Sequence, residues 1–173
     1  MLRSILSVLG ILSLYHLALA YFGAAVYGFP SRQLLVIAVT GTKGKSSTTE
    51  MIAAIMDEAG HKTALLNSIR IKVGESSEPN TMRMSMPGRM YIQRFLARAV
   101  REGCTAAILE MTSEGARQHR HRAIELDALV FTNLAPEHIE SHGSYESYAD
   151  AKFMIGQALA RSTKRPRAMI ANA

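Results

Sequence analysis

The sequence predicts an α/β fold in which a parallel sheet carries helices on both faces, preceded by an apolar N-terminal helix. Short apolar runs alternate along the chain with segments of helical periodicity, which is the pattern of successive βα units. The first of these runs leads into a loop with two glycines, then Lys-Ser and a helix. A long, mostly apolar stretch, residues 4–29, comes before that run. We therefore expect an N-terminal helix within residues 1–33 and an α/β domain over residues 34–173.

The loop after the first predicted strand has the features of a nucleotide-binding loop. Residues 34–39 are apolar and β-branched, as in a buried strand, and helical spacing begins after Gly44. Backbone N–H groups at such a helix start face phosphate oxygens, and the helix dipole favours their negative charge. In this arrangement Lys45 reaches the outer phosphates and the hydroxyl of Ser46 binds Mg²⁺. The predicted nucleotide-binding residues are Thr40, Gly41, Thr42, Lys43, Gly44, Lys45, Ser46 and Ser47.

This loop differs from the general phosphate-binding pattern at one position. That pattern has a glycine five residues before Gly44, where this chain has Val39. The alternative interpretation is a glycine-rich turn that joins a strand to a helix and binds no ligand. Lys-Ser at the start of a helix, directly after a buried strand, favours nucleotide binding.

Other apolar runs complete the predicted sheet and bring further polar residues to its edge. Strands are predicted at 63–66, 69–73, 106–109, 128–132 and 168–170, helices over 89–102 and 144–161, and a polar loop over 75–80. Glu110 and Asn133 stand at the C-terminal ends of two of these strands, as Gly41 does in the first. Ligands of parallel sheets bind outside the carboxyl ends of the strands. We therefore expect these three residues to share one site.

Three motifs, in this order along the chain, resemble those of the Mur ligases, which join amino acids to peptidoglycan precursors. Residues 40–49 resemble the ATP loop of that family. Residues 110–115, Glu-Met-Thr-Ser-Glu-Gly, are similar to its Glu-x-Ser-Ser segment. Residues 132–143, Thr-Asn-Leu-Ala-Pro-Glu-His-Ile-Glu-Ser-His-Gly, followed by Lys152, look like the corresponding block of the MurE type. The resemblance runs from about Leu34 to the end of the sequence.

The resemblance implies an ATP-dependent ligase that forms an amide through an acyl-phosphate, with ATP and Mg²⁺ as cofactors. The residues that match catalytic positions of the family are Lys45, Glu110, His138 and Lys152. Those that match its metal-binding positions are Ser46, Glu110, His138 and Lys152, the lysine in carbamylated form. Asn133 joins the nucleotide-binding residues.

The implied substrates are a UDP-MurNAc-peptide and an amino acid. Asn80, Thr81 and Arg83 lie where members of the family contact the sugar-peptide portion, and a solvated basic loop is an equally good interpretation. The basic run 117–122 either clamps a phosphate or carboxylate or forms a solvated turn.

The apolar N-terminal stretch has three interpretations. At about 1.5 Å per residue, a helix over 4–29 is long enough to cross a hydrocarbon core of roughly 30 Å. It is a membrane-spanning or membrane-seated anchor, a helix packed on the domain or on a partner, or a cleaved signal peptide. An anchor would attach a cytoplasmic protein to the inner face of the cell membrane. MurE-type ligases usually have a separate UDP-binding domain before the ATP loop, so how the nucleotide end of the substrate is held is an open question.

Composition limits the partners. The net charge is +6, from 20 Lys+Arg and 14 Asp+Glu, which suits anionic partners such as nucleotide phosphates, a UDP-linked substrate or an anionic membrane surface. Only 6% of residues are aromatic and no nucleic-acid-binding motif is present, so we expect no nucleic-acid partner. The single cysteine, Cys104, excludes an internal disulfide and is expected in the core.

Mur ligases continue through the rest of the ATP domain and a C-terminal domain that brings the amino acid. We therefore expect this chain to act as part of a longer enzyme or with a partner chain, and not to form amides alone. Two alternatives remain open. One is a membrane-tethered ATPase or nucleotide-binding module without ligase activity, and the other is a ligase like folylpolyglutamate synthase, which shares the ATP loop.

Overall fold

A seven-stranded sheet is the centre of the fold in the computed structural model, which describes residues 2–137 and 139–172, except for the side chains of residues 2–9 and 139. The strands are β1 (Leu35–Thr40), β2 (Thr63–Leu66), β3 (Arg70–Val73), β4 (Ser76–Pro79), β5 (Ala106–Glu110), β6 (Ala128–Phe131) and β7 (Ala168–Ala171). The helices are α1 (Leu2–Val26), α2 (Lys45–Glu58), α3 (Arg89–Arg101), α4 (Ser113–Arg117), α5 (Ile139–His142) and α6 (Tyr145–Arg161), with a 3₁₀ turn at Pro30–Gln33.

Five of the strands are parallel and adjacent. The strand order is β4-β3-β2-β5-β1-β6-β7, and the parallel pairs join β2, β5, β1, β6 and β7. β1 lies between β5 and β6, with Leu35 opposite Ala106 and Ile37 opposite Ala128. Because these strands run the same way, their carboxyl ends meet at one edge. The predicted α/β fold is confirmed.

Helices cover both faces of the sheet. On one face, Ala53 of α2 packs against Val39, Leu65 and Ile108. On the other face, apolar residues of α3 and α6 pack with strand residues in the larger core cluster. The helix residues in this cluster include Ile92, Phe95, Leu96, Ile155 and Leu159. Cys104 lies in that cluster, as expected, and burial raises the pKa of its thiol.

The prediction of a polar loop over 75–80 was wrong. Ser76–Pro79 forms β4, which pairs antiparallel with β3 and makes that end of the sheet mixed rather than purely parallel. The hairpin turns at Gly74, which has a positive φ of 56°. All four β4 residues are exposed, so the strand has no apolar face that the sequence pattern would reveal. Pro79 is tolerated because β4 is an edge strand and its missing N–H faces no neighbour.

The N-terminal helix α1 packs against α3. Ala20 and Ala24 are buried in this contact, and a methyl group at Gly23 would lie 2.8 Å from the sulfur of Met90. Small residues on one side of α1 therefore allow the close approach of the two helices. Within the part of the chain that the structure describes, no helix has the length and hydropathy needed to cross a membrane.

Candidate nucleotide-binding and catalytic site

The loop between β1 and α2 needs glycine at two positions. Gly41 has a φ of +146°, and a methyl group there would lie 2.0 Å from the hydroxyl oxygen of Thr132. Gly44, with a φ of +78°, is the N-cap of α2, and no side chain of the described residues caps this helix. The first-turn N–H groups of α2 are therefore available to an anion at the carboxyl edge of the sheet.

Thr132 and Asn133, which follow β6, hold this loop. The amide of Thr42 donates to the carbonyl of Asn133 at 3.0 Å, and the amide of Lys43 donates to Asn133 Oδ1 at 2.9 Å. Asn133 Nδ2 and the hydroxyl of Thr132 both donate to the carbonyl of Lys43, at 3.1 and 2.7 Å. The structure thus brings Asn133 to the loop, where it fixes the backbone.

Ser46 and Glu110 meet at the mouth of the loop. The hydroxyl of Ser46 donates to Glu110 Oε2 at 2.9 Å, and the amide of Ser68 donates to the same oxygen at 3.1 Å. The hydroxyl groups of Ser46 and Ser68 are 3.0 Å apart. Glu110 is only 4% exposed, so these hydrogen bonds support a carboxylate that has little contact with water.

Two lysines lie beside the loop. Lys45 Nζ donates to the carbonyl of Thr42 at 2.8 Å, which places the ammonium group over the loop. Lys152, on α6, is 2% exposed, and its Nζ donates to the carbonyl of Gly41 at 2.6 Å. Burial, with a smaller contribution from the charge of Lys45, lowers the pKa of Lys152 to about 8.

Tyr148 connects α6 to the loop. Its hydroxyl is 2.9 Å from the hydroxyl of Thr42, and its ring centroid is 4.7 Å from Nζ of Lys152. Thr42 also accepts a hydrogen bond of 3.0 Å from the amide of Ala135. The α6 side chains therefore fix the loop from one side while Asn133 fixes it from another.

The remaining predicted nucleotide-binding residues divide between buried and open positions. Thr40 is buried, and its hydroxyl donates to the carbonyl of Met111 at 2.9 Å, so its side chain joins the end of β1 to the residue that follows β5. Ser47 is exposed in the first turn of α2. The side chain of Lys43 is also exposed, with Nζ 3.8 Å from Glu137.

The oxygen atoms at Ser46 and Glu110 fit a magnesium ion. Mg²⁺ takes oxygen ligands, commonly one or two protein groups together with phosphate oxygens and water. Among the described residues, no three His, Cys, Asp or Glu side chains converge as a metal cluster. His138 lies outside the described residues. Lys152 and Glu110 lie at the same edge of the sheet but do not contact each other. Lys152 donates to the carbonyl of Gly41, and Glu110 accepts from Ser46.

The predicted substrate-binding residues have different environments. Asn80 is buried, and its Nδ2 donates to the carbonyls of Asn67 and Met84 at 2.6 and 3.0 Å. This amide group therefore holds two loops together, and its Oδ1 makes no hydrogen bond within the described residues. Thr81 and Arg83 are exposed, and Arg83 has a positive φ of 51°.

Sequence reasoning missed Asn67 and Ser68. Asn67 Nδ2 donates to Glu50 Oε1 at 2.8 Å on α2, and Ser68 contacts Glu110 as described above. Both residues follow β2 directly, so the rule that located Glu110 and Asn133 would also have found them. Neither residue lies in one of the three motifs that mark the other site residues.

The model of the Mur ligase middle domain matches residues 39–173 of the chain. The chain belongs to the Mur ligase family. The family membership predicted from the sequence is therefore confirmed. The matched region includes every element of this chain from the end of β1 to β7.

Curated Mur ligases with similar sequences are of the MurE type. A UDP-N-acetylmuramoyl-L-alanyl-D-glutamate–2,6-diaminopimelate ligase from Syntrophomonas wolfei is 36% identical over 142 residues, 82% of this chain and 29% of the relative. A UDP-N-acetylmuramyl-tripeptide synthetase from Treponema pallidum is 36% identical over 144 residues, 82% of this chain and 27% of the relative. The chain thus spans less than a third of the length of these relatives.

Solved structures of Mur ligases and folylpolyglutamate synthases share the fold. A UDP-N-acetylmuramoyl-L-alanyl-D-glutamate–2,6-diaminopimelate ligase superposes with a TM-score of 0.66 at 23% identity, over 80% of this chain and 32% of that one. A folylpolyglutamate synthase from Mycobacterium tuberculosis, solved with ADP and AMPPCP, superposes with a TM-score of 0.69 at 16% identity, over 99% of this chain and 45% of that one. At these identities the likeness concerns the fold alone.

Proposed function

We propose that this chain is the nucleotide-binding part of a MurE-type ligase, which joins an amino acid to a UDP-MurNAc-peptide at the expense of ATP. The observation that carries the proposal is the meeting of Ser46 and Glu110 at the start of α2, beside Lys45 and the glycine loop. The names of the curated relatives supply the substrate class. The amino acid that is added is left open.

The proposed reaction has two steps. A substrate carboxylate attacks the γ-phosphorus of ATP, the bond from that phosphorus to the bridging oxygen breaks, and ADP leaves. The amine of the amino acid then attacks the acyl-phosphate carbon, loses a proton and displaces inorganic phosphate, which forms the amide. Neither step needs a covalent bond to the protein, so catalysis consists mainly of positioning and charge stabilisation.

Specific residues of this chain supply that stabilisation. The N–H groups at the start of α2 bind phosphate oxygens, and the ammonium group of Lys45 moves from the Thr42 carbonyl to the outer phosphates. Ser46 and Glu110 would hold Mg²⁺, which neutralises phosphate charge when bound. Asn133 and Thr42 keep the loop in the conformation that presents these groups.

We assign Lys152 a supporting role as a carbamate, in agreement with its match to the family lysine. An uncharged amine attacks CO₂, forms an N–C bond and releases one proton, which leaves a carboxylate-like group in place of a cation. Two properties of Lys152 support this reaction, its burial and its lowered pKa of about 8, because both favour the neutral amine. His138 keeps its proposed metal-binding role on the basis of the resemblance alone.

We place this chemistry in the cytoplasm, next to the membrane surface. The outer side of α1 is apolar and exposed, with Ile11, Leu14 and Phe22 exposed by 68%, 66% and 60%. The other side of α1 packs on α3, so a helix that lies in the membrane interface fits better than a helix that spans the membrane. The net charge of +6 favours an anionic lipid surface.

The experiment that tests the proposed function is equilibrium binding of ATP with Mg²⁺ to this chain, followed by ADP formation in the full ligase. We expect saturable, Mg²⁺-dependent binding that Lys45→Ala abolishes. We also expect steady-state ADP formation over many turnovers that requires both a UDP-MurNAc-dipeptide and an amino acid. ADP release that a folate substrate stimulates would assign the chain to the folylpolyglutamate synthase type. Binding without any substrate-stimulated ADP release would favour a nucleotide-binding module.

A further inference from the structure

A small cavity lies at the amino edge of the sheet, opposite the nucleotide-binding loop. Its volume is about 100 Å³. The lining residues precede three parallel strands: Phe29 and Arg32 come before β1, residues 121–125 before β6, and Arg161 before β7, while Tyr21 of α1 completes the wall. One buried water needs roughly 10–15 Å³, so the cavity has room for a small oxyanion together with water.

The basic run 117–122 divides between this cavity and the rest of the chain. The guanidinium groups of Arg117 and Arg120 donate to main-chain carbonyls. His121 and Arg122 instead line the cavity. The first part of the run therefore binds the chain's own oxygen atoms, and its last two residues face the amino edge.

Several buried nitrogen atoms at the cavity have no hydrogen-bond partner within the described part of the chain. They are both ring nitrogens of His121, which is 0% exposed, and Nε of Arg122. Burial, with smaller contributions from neighbouring positive charges, lowers the pKa of His121 to about 3, so its imidazole is neutral and keeps one N–H group. Since buried polar atoms nearly always have partners, these unused N–H groups indicate a ligand.

The lining of the cavity carries an excess of positive charge. Of the described residues that form it, Arg32, Arg122 and Arg161 contribute three positive charges and Glu125 contributes one negative charge. Glu125 already accepts a hydrogen bond of 2.8 Å from the amide of Thr163. No ion pair among the described residues joins any of the three arginines to a carboxylate. An anion would therefore be attracted to this cavity.

We propose that this cavity binds a phosphate group between the guanidinium groups of Arg32, Arg122 and Arg161. The ring N–H of His121 is a further donor at the base of the site. A tetrahedral phosphate suits arginines from three different segments, because its oxygens accept hydrogen bonds from several directions. A phosphate monoester carries about 1.5 to 2 negative charges at pH 7, which matches the excess of positive charge. Arg32 and Arg161 are exposed, so they can move to admit the group to the covered imidazole.

The phosphate comes either from a soluble ion or ester or from a phospholipid headgroup. Tyr21, in the wall of the cavity, is followed by Phe22 on the exposed apolar side of α1. A membrane that contacts this side of α1 would bring its headgroups to the cavity. The site lies at the opposite edge of the sheet from Lys45 and Glu110, so the inference goes beyond the proposed function and does not depend on it.

The test follows the ring signals of His121 by NMR while inorganic phosphate is added to the chain in saturating ADP and Mg²⁺. Potassium chloride at matched ionic strength is the blank, and His121→Gln assigns the signals. We expect a saturable shift for His121 and none for His61, which is exposed beside β2. Arg32→Gln and Arg161→Gln should each weaken the affinity by about tenfold, because each removes a charge-assisted contact.

Arg94→Gln, which removes an exposed arginine of α3, is the matched control and should bind phosphate like the wild type. Flotation with vesicles of phosphatidylglycerol in phosphatidylcholine separates the two sources. Vesicle affinity that is lower in Arg32→Gln and Arg161→Gln than in Arg94→Gln assigns the site to a lipid headgroup. Equal vesicle affinity in all three variants, with the phosphate titration as expected, assigns it to a soluble phosphate.

The site is overturned if neither phosphate nor these vesicles give an effect that depends on Arg32 and Arg161. A His121 shift that chloride reproduces would overturn it as well. These outcomes are distinct from failure of the proposed function, which is measured as loss of Mg²⁺-dependent ATP binding through Lys45 at the other edge of the sheet.

Discussion

The hydroxyl of Ser46 donates a 2.9 Å hydrogen bond to the carboxylate of Glu110, which joins the first turn of α2 to the end of β5. Ser68, after β2, binds the same carboxylate oxygen through its amide. Three separate segments therefore converge at one carboxylate, next to the helix N-terminus where phosphates are expected.

Replacing either partner of this pair should impair Mg²⁺-dependent nucleotide binding. We expect Ser46→Ala and Glu110→Gln each to lower the affinity for ATP in Mg²⁺ by about tenfold or more, because each removes an oxygen ligand or its charge. Binding measured by calorimetry with and without Mg²⁺ checks this. Glu75→Gln, at an exposed turn, serves as the control. Equal affinities of Ser46→Ala and wild type in Mg²⁺ would contradict a metal site at this pair.

Gly41→Ala should destabilise the fold as well as the loop. The new methyl group would lie 2.0 Å from the hydroxyl oxygen of Thr132, and the φ of +146° is unfavourable for any other residue. We expect a loss of about 2 kcal/mol or more in the free energy of unfolding, measured with urea. Gly156→Ala is the control, since nothing lies within 4 Å of that position and alanine favours the α6 helix.

A second variant identifies the cause of that loss. Adding Thr132→Ala to Gly41→Ala removes the nearest atom, so part of the lost stability should return. The rest should persist because the backbone of Asn133 is also close and φ is unchanged. Additive effects of the two substitutions would argue against a direct clash.

Lys152 should carry a carbamate under working conditions. In ¹³C-bicarbonate, we expect a carbamate signal in the ¹³C spectrum of the wild type that Lys152→Met lacks. That variant keeps the buried side-chain volume, so ATP binding should be largely retained while ligation by the full enzyme is lost. Lys43→Met removes an exposed lysine of the same loop and should leave the carbamate signal unchanged. A wild-type spectrum without the signal at saturating bicarbonate would refute the assignment.

The buried His121 should make the protein less stable in mild acid. Burial, with smaller contributions from neighbouring charges, lowers its pKa from 6.5 to about 3. The unfolded chain therefore binds a proton between these pH values that the folded chain excludes, so stability falls as the pH drops below 6.5. At pH 5 the expected loss relative to pH 7 is about 2 kcal/mol.

His121→Gln, which has no titrating group, is the comparison for this effect. Urea unfolding at pH 7 and pH 5 should show a smaller difference for the variant than for the wild type. The same pH dependence in both proteins would assign the effect to other groups.

The apolar side of α1 should bind anionic lipid. We expect the chain to float with vesicles that contain phosphatidylglycerol and not with vesicles of phosphatidylcholine alone. Leu14→Glu and Phe22→Glu place charges on the exposed side and should abolish flotation without unfolding the protein. Glu75→Gln should float like the wild type. Flotation that persists in both α1 variants would move the lipid contact elsewhere on the basic surface.

Much of the sheet could be predicted because its strands are marked by apolar runs that end in polar motif residues. That rule alone predicts Gly41, Glu110 and Asn133 at one edge, and in the structure each lies at the carboxyl end of its strand. β4 was missed because Ser76–Pro79 is exposed throughout, and an edge strand held by backbone pairing leaves no side-chain signal.

The precise partners in the site were beyond sequence reasoning. Asn80 is a predicted substrate-binding residue, and nothing in the sequence indicates that its amide nitrogen bonds to two carbonyls. Tyr148 contacts the loop through tertiary packing that no local pattern encodes. Ser68 could have been located by its place after β2, but its bond to Glu110 could not. The packing of α1 on α3 did have a local signal, the small residues at Ala20, Gly23 and Ala24, which lie on one side of the helix.

The position of β1 between β5 and β6 also bears on how the protein is made. As the chain leaves the ribosome, β1 has no neighbour in the sheet until β5 and then β6 have been synthesised, since its partners are Ala106 and Ala128. An apolar strand therefore stays unpaired while residues 41–105 are synthesised, when association with other chains competes with folding. The Ser46–Glu110 pair forms only when β1 and β5 align, so a nascent chain gains its affinity for nucleotide late, once the centre of the sheet is complete.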